Sequence, residues 1–129
     1  MRRVPAKIPI ASIILCAGKG RRMQAPRTPK VCFPIVGKAA ILHMLERLSA
    51  LGVSPNILVV GHLAGMVVDE VGPKFPDALF AYQASLLGTG HATRRGAAAL
   101  MQTKFDGAVL VIAGDKVVES RALEKLIRT

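Results

Sequence analysis

Four apolar runs punctuate the chain, over residues 8–16, Asn56–Val60, 78–82 and Ala108–Ala113, each followed within two residues by glycine or a polar side chain. Short apolar runs without polar alternation predict strands buried on both faces, as in a parallel sheet. Between them the period lengthens. Ile41, Leu42, Leu45, Leu48 and Leu51 fall on one helical face from Lys38 onward, and Gly52 stands where a C-terminal cap belongs. Residues 91–101 read as a second, alanine-rich helix and residues 63–71 as a shorter one before the turn "GPKFPD". Ser120 is placed to cap a last helix running to Arg128. Strand and helix alternate four times, which predicts a doubly wound, Rossmann-like α/β fold with a mostly parallel sheet covered on both faces. Such sheets bind ligands beyond the carboxyl ends of their strands, so the loops after the first and fourth strands are where chemistry is expected.

Length and charge narrow the picture. The chain has 129 residues, 51% of them hydrophobic, enough for one core and too few for two domains. The formal charge of +10 is unevenly placed, because residues 1–45 carry nine basic residues and no acid. A one-sided basic segment calls for an anionic partner: nucleic acid, an acidic membrane surface or a small polyphosphate. Aromatic residues make up only 4% of the chain, without a tryptophan, so the stacking platforms of a single-strand binder are missing and no nucleic-acid partner is expected. The N-terminal "MRRVPAKIPIASIIL" imitates an export signal, but Leu15 before Cys16 is not small and Pro5 and Pro9 interrupt it. The apolar run is also far too short to span a bilayer, so no membrane association and a cytoplasmic location are expected. Cys16 and Cys32 lack the spacing of a zinc site or a disulfide scaffold and read as buried free thiols.

Three stretches carry candidate chemistry. "LCAGKGRRMQAPRTPK", residues 15–30, follows the first strand with two glycines among five basic residues and no acid. Its glycines let backbone N–H groups turn toward an anion, and the Arg22 guanidinium can grip phosphate oxygens with two hydrogen bonds. It is neither a Walker A loop nor a dinucleotide fingerprint, and a solvated basic turn is the competing reading. In "YQASLLGTGHA", residues 82–92, Gly88 and Thr89 offer backbone donors before a helix, and Gln83 offers a donor and an acceptor suited to a nucleobase edge. His91 is read as ordering the helix start rather than as a general base, and His43 and His62 as structural. In "VLVIAGDK", residues 109–116, Asp115 ends a buried strand, where a carboxylate either caps a helix or holds Mg²⁺ against phosphates.

Taken in this order, "LCAGKGRRM…PK", "Q…LGTGHA" and "GD" resemble the sugar-phosphate nucleotidyltransferases, with residues 87–92 most similar to the N-acetylglucosamine-1-phosphate uridylyltransferases. The resemblance extends over residues 8–115 and includes "FPIVGKAAILHMLERLSALGV", with Gly-Lys opening a helix. It implies a nucleotide-diphospho-sugar transferase fold and a Mg²⁺-dependent reaction of a nucleoside triphosphate, UTP foremost, with a sugar 1-phosphate. By that resemblance the backbone of Ala17, Gly18 and Gly20 lies along nucleotide and phosphates, Arg22 neutralises the departing pyrophosphate and Lys30 bridges the reacting phosphates. Gln83, Gly88 and Thr89 would read the base and Asp115 would bind the metal.

The sequence departs from the family pattern at Arg21, where threonine or serine is common, and in a segment 23–30 that is one residue longer. Lys116 and Val117 follow Asp115 where a proline usually comes two residues on. The sugar-binding half and a second metal ligand are expected outside residues 1–129. The chain therefore reads as the N-terminal nucleotide-binding portion of a nucleotidyltransferase domain, binding nucleotide without full activity, with an open sheet edge that invites self-association. A non-catalytic nucleotide-binding module and a molybdenum-cofactor-type nucleotidyltransferase are the alternatives.

Overall fold

The computed structural model describes residues 8–17, 28–84, 87–114 and 120–128. In chain order it contains β1 (Ile10–Leu15), a 3-10 turn (Lys30–Cys32), β2 (Pro34–Ile35), β3 (Lys38–Ala39), α1 (Ala40–Ala50), β4 (Asn56–Val60), α2 (Ala64–Val71), β5 (Leu79–Tyr82), α3 (Thr89–Met101), β6 (Ala108–Ala113) and α4 (Ser120–Arg128). The main sheet runs β5-β4-β1-β6 with every neighbouring pair parallel. From β1 the chain winds outward through β4 to β5, then crosses back to place β6 on the other side of β1. The winding reverses between β1 and β6, so their carboxyl ends flank the crevice in which such sheets take ligands.

The two faces are covered unequally. Ile14 and Leu58 point to the face shared by α1, α2 and α4, where Leu42, Leu45, Leu48, Val67, Val71 and Leu123 complete a fully buried cluster. Ile13, Ile57 and Val59 point to the opposite face, against Ala92 and Leu100 of α3. The fit of α3 depends on Gly96, since a Cβ there would stand 2.5 Å from Ile13 Cγ2 and 3.1 Å from Val59 Cγ2. An alanine-rich helix is what such close approach to a β-branched sheet surface requires.

Two expectations need correction. The helix predicted from Lys38 begins at Ala40, because Lys38 and Ala39 pair antiparallel with Ile35 and Pro34 in a small hairpin. Gly37, expected to open the helix, occupies the hairpin turn at φ +76°, a conformation that favours glycine. His43 Nε2 lies 2.6 Å from the Ile35 carbonyl oxygen and Lys38 Nζ is 2.7 Å from Glu46, so α1 holds the hairpin from two sides. Gly52, at φ +78°, ends α1 as predicted. The second correction concerns β6, expected to be buried on both faces: Val109 and Val111 are 43% and 45% exposed. Among the described residues β6 pairs only with β1, and the covering helix α3 lies over the neighbouring strands.

Candidate nucleotide site

The site assembles at the carboxyl ends of β1, β4, β5 and β6. The β1 end is tied on both sides, since the Gly114 N–H donates to the Leu15 carbonyl at 3.0 Å and the Cys16 N–H donates to that of Val59 at 2.9 Å. Gly114 allows the β6 end to come this close. A Cβ there would meet Cys16 Sγ and Val31 Cγ1 at 3.0 Å and Ile14 Cγ2 at 3.1 Å. The first loop, the turn that carries Lys30 and the entry to Asp115 therefore converge on one glycine. Lys30 is exposed at the head of the 3-10 turn, anchored by buried Val31 and Cys32 beside it. Gly18, Gly20, Arg22 and Asp115 lie outside the described residues.

A second glycine joins the start of the first loop to Gln83, in the segment expected to read the base. The Cα of Gly61, just past β4, is wedged so that a Cβ would stand 2.9 Å from the Gln83 carbonyl oxygen and 3.2 Å from Ala17 Cβ. Ala17 and Gln83, distant in sequence, thus flank a single residue, and Gln83 is pinned further by its N–H donating to the Val60 carbonyl at 2.7 Å. Gly61 lies outside the three stretches that carry candidate chemistry in the sequence. A glycine directly after a buried strand was the available signal, because close backbone approach is a main reason for glycine there. His62 follows it, with Nε2 buried and without a hydrogen-bond partner among the described residues.

Gln83 is only 3% exposed, and its side-chain Nε2 lies 2.9 Å from His91 Nδ1. Part of its hydrogen-bonding capacity, which the sequence reading left free for a base, is therefore used inside the protein. His91, in the first turn of α3, thereby links the start of that helix to Gln83. Gly88 precedes α3 at φ +91°, Thr89 and Gly90 form its first turn rather than leading into it, and all three are exposed. One turn on, Arg95 Nε donates to the Tyr82 carbonyl at 3.1 Å, so α3 grips both Tyr82 and Gln83.

Cys16 and Cys32 are buried and form no disulfide. Burial, with a smaller contribution from Glu70, pushes the Cys32 thiol up to about 11, so it stays protonated and unreactive near neutrality. No helix of the described residues is long and apolar enough to cross a membrane.

Comparison with known proteins agrees with this fold. The bifunctional protein GlmU of Paramagnetospirillum magneticum is 41% identical over 119 residues, covering 92% of this chain and 25% of the relative. That of Lactococcus lactis subsp. lactis is 40% identical over 116 residues, covering 89% and 24%. The chain spans about a quarter of the length of the curated relatives it matches. Among solved structures, a nucleotidyl transferase from Methanothermobacter thermautotroptrophicus superposes with a TM-score of 0.75 at 23% identity, over 93% of this chain and 57% of that one. HddC from Yersinia pseudotuberculosis, complexed with GMP-PN, gives a TM-score of 0.65 at 25% identity over 81% and 47%. The fold is that of the nucleotide-diphospho-sugar transferases. With the MobA-like NTP transferase domain matching residues 12–129, the chain belongs to that nucleotidyltransferase family.

Proposed function

We propose that residues 1–129 are the nucleotide-binding portion of a cytoplasmic nucleotidyltransferase that moves a uridylyl group from UTP to a sugar 1-phosphate, releasing pyrophosphate. The observation that carries this reading is the junction at Gly61, which sets Ala17 of the glycine-rich loop beside Gln83 of the base-reading segment. A nucleotide laid across that junction has its phosphates over the basic loop and its base at Gln83. The resemblance of residues 87–92 to the N-acetylglucosamine-1-phosphate uridylyltransferases supports sugar 1-phosphate as the acceptor class.

In the proposed reaction a phosphate oxygen of the acceptor attacks the α-phosphorus in line. The new P–O bond forms as the bond from the α-phosphorus to the bridging oxygen of pyrophosphate breaks. No covalent enzyme intermediate is needed, and the protein contributes positioning and charge stabilisation. The backbone of Ala17, Gly18 and Gly20 lines the phosphates, Arg22 neutralises the leaving pyrophosphate, and Lys30 reaches the reacting phosphates from its exposed turn. Gly88 and Thr89 present backbone groups to the base beside Gln83.

Asp115 would hold Mg²⁺, whose role when bound is to neutralise phosphate charge. One carboxylate suits a nucleotide-borne ion, because Mg²⁺ readily takes one carboxylate with phosphate oxygens and water. The sugar phosphate is held by residues other than these 129, so this chain alone binds nucleotide without appreciable nucleotide-sugar synthesis. The free thiols Cys16 and Cys32 suit a reducing compartment. The outer edge of β6, unpaired among the described residues and with Val109 and Val111 exposed, supports self-association of the chain.

Calorimetry tests the reading. UTP should bind about tenfold or more tightly than ATP or GTP, because a base that leaves a buried polar group unpaired costs about 1–3 kcal/mol. Equal or tighter purine binding would overturn the uridylyl assignment in favour of another nucleotidyltransferase, the molybdenum-cofactor type included. Arg22→Ala should weaken UTP far more than uridine, and equal losses would remove Arg22 from the phosphate site. Pyrophosphate release from UTP, Mg²⁺ and a panel of sugar 1-phosphates, abolished by Asp115→Ala, would show that the short chain is catalytically complete after all.

A further inference from the structure

We infer that His91 is the positioning residue that selects the base, by fixing which end of the Gln83 amide the nucleotide meets. The inference rests on the assignment of Gln83 to base reading proposed above, and extends it to a residue that does not touch the nucleotide.

The backbone of Gln83 is held in place, and its side chain is buried. Its N–H donates to Val60 at 2.7 Å, and its carbonyl lies against the Cα of Gly61. The side-chain amide is left with one choice: nitrogen toward His91 and oxygen outward, or the reverse. In the structure Nε2 faces His91 Nδ1 at 2.9 Å. An amide nitrogen carries hydrogens and no available lone pair, so it donates and Nδ1 accepts, which puts the imidazole hydrogen on Nε2. Gln83 Oε1 makes no hydrogen bond among the described residues and remains as the acceptor for a ligand.

That polarity has a chemical consequence. Uracil and thymine carry a hydrogen on ring N3 and can donate to Oε1. Cytosine brings a lone pair at N3 and is repelled by it. Were the amide turned round, its NH₂ would face the base and the preference would reverse. His91 is held steady enough for this task, since Arg95, four residues later on the same face of α3, ties the helix to the Tyr82 carbonyl at 3.1 Å. Helix, strand end and amide thus form one clamp, with the accepting lone pair of Nδ1 as its setting.

The experiment is calorimetry of UTP, CTP and inorganic tripolyphosphate on the 129-residue chain, its His91→Ala and His91→Asn variants, with thermal unfolding as the control for folding. Wild type should prefer UTP over CTP by about tenfold or more, since the wrong base leaves a buried acceptor unpaired. His91→Ala should bring that ratio to within about threefold, leaving tripolyphosphate affinity unchanged, because the amide can then rotate at little cost. His91→Asn, whose Oδ1 can stand where Nδ1 stood and accept the same hydrogen bond, should restore the preference. A folded His91→Ala protein that keeps the full UTP preference overturns the inference while leaving the base-reading role of Gln83 intact. A wild type that binds UTP and CTP alike, or neither, overturns the assignment of Gln83 and the inference with it. Independently of any variant, ring ¹⁵N shifts of His91 should show Nδ1 as the unprotonated nitrogen, and a proton on Nδ1 would refute the proposed polarity.

Discussion

Replacing Gly61 by alanine adds one methyl group at the point where Ala17 and Gln83, the two halves of the proposed nucleotide site, meet. The new Cβ would stand 2.9 Å from the Gln83 carbonyl oxygen and 3.2 Å from Ala17 Cβ, where ordinary contact begins at 3.4 Å. Neither neighbour is the end of a flexible side chain, so no rotamer change relieves the clash. The backbone at Gln83, with the shorter contact, has to retreat by about 0.5 Å, stretching its hydrogen bond to Val60 and moving the amide relative to the phosphate loop. Overpacking at such a point costs about 1–3 kcal/mol, which corresponds to roughly 5- to 150-fold in affinity if it is taken up by the binding geometry. Calorimetry should therefore show UTP affinity falling at least about fivefold in Gly61→Ala, with uridine affinity falling in parallel because the base contact is displaced. Adding Ala17→Gly removes the contact at 3.2 Å and should recover part of the loss, whereas the contact with the Gln83 carbonyl persists. If Gly61→Ala binds UTP as wild type does and unfolds at the same temperature, the two loops are not held together at this residue and the reasoning fails.

Gly96→Ala should lower the thermal midpoint, because overpacking against Ile13 and Val59 costs about 1–3 kcal/mol and exceeds the gain of at most about 1 kcal/mol in helix propensity. An unchanged or higher midpoint would mean that α3 is packed less closely than described. Cys32 should resist iodoacetamide at pH 8 in the native protein and react once denatured, and rapid native labelling would contradict its burial. Its folded thiol holds its proton up to about 11, against 9.0 for an ordinary thiol, so its contribution to stability is present below that ordinary value and lost as pH rises between the two. Denaturant midpoints of wild type and Cys32→Ala, compared across that alkaline window, should converge as pH rises. Val111→Lys places a charge on the exposed face of the β6 edge and should reduce concentration-dependent self-association in sedimentation velocity, whereas unchanged association would exclude β6 as the contact.

The alternation of apolar runs and helical periods was sufficient by itself to define the α/β class and the main elements, because burial on both faces of a parallel strand leaves an uninterrupted apolar signature. The four strands of the main sheet and the four helices lie within two residues of where the pattern puts them. The glycine-rich loop, Gln83, the Gly-Thr-Gly-His run and the family resemblance were legible for a related reason, since a motif is a set of residue types at fixed chain positions. The hairpin before α1 was not, because two-residue strands have no period to read and the Val36–Gly37 turn becomes evident only once His43 and Glu46 hold it. The exposed face of β6 was hidden as well, for an apolar strand reads alike at the centre of a sheet and at its edge. Only the tertiary structure revealed Gly61 and the His91–Gln83 bond. Both arise where β4, β5, α3 and the end of β1 converge, and contacts between segments so far apart along the chain leave no local pattern, since each residue is chosen to fit a neighbour that only the folded backbone supplies.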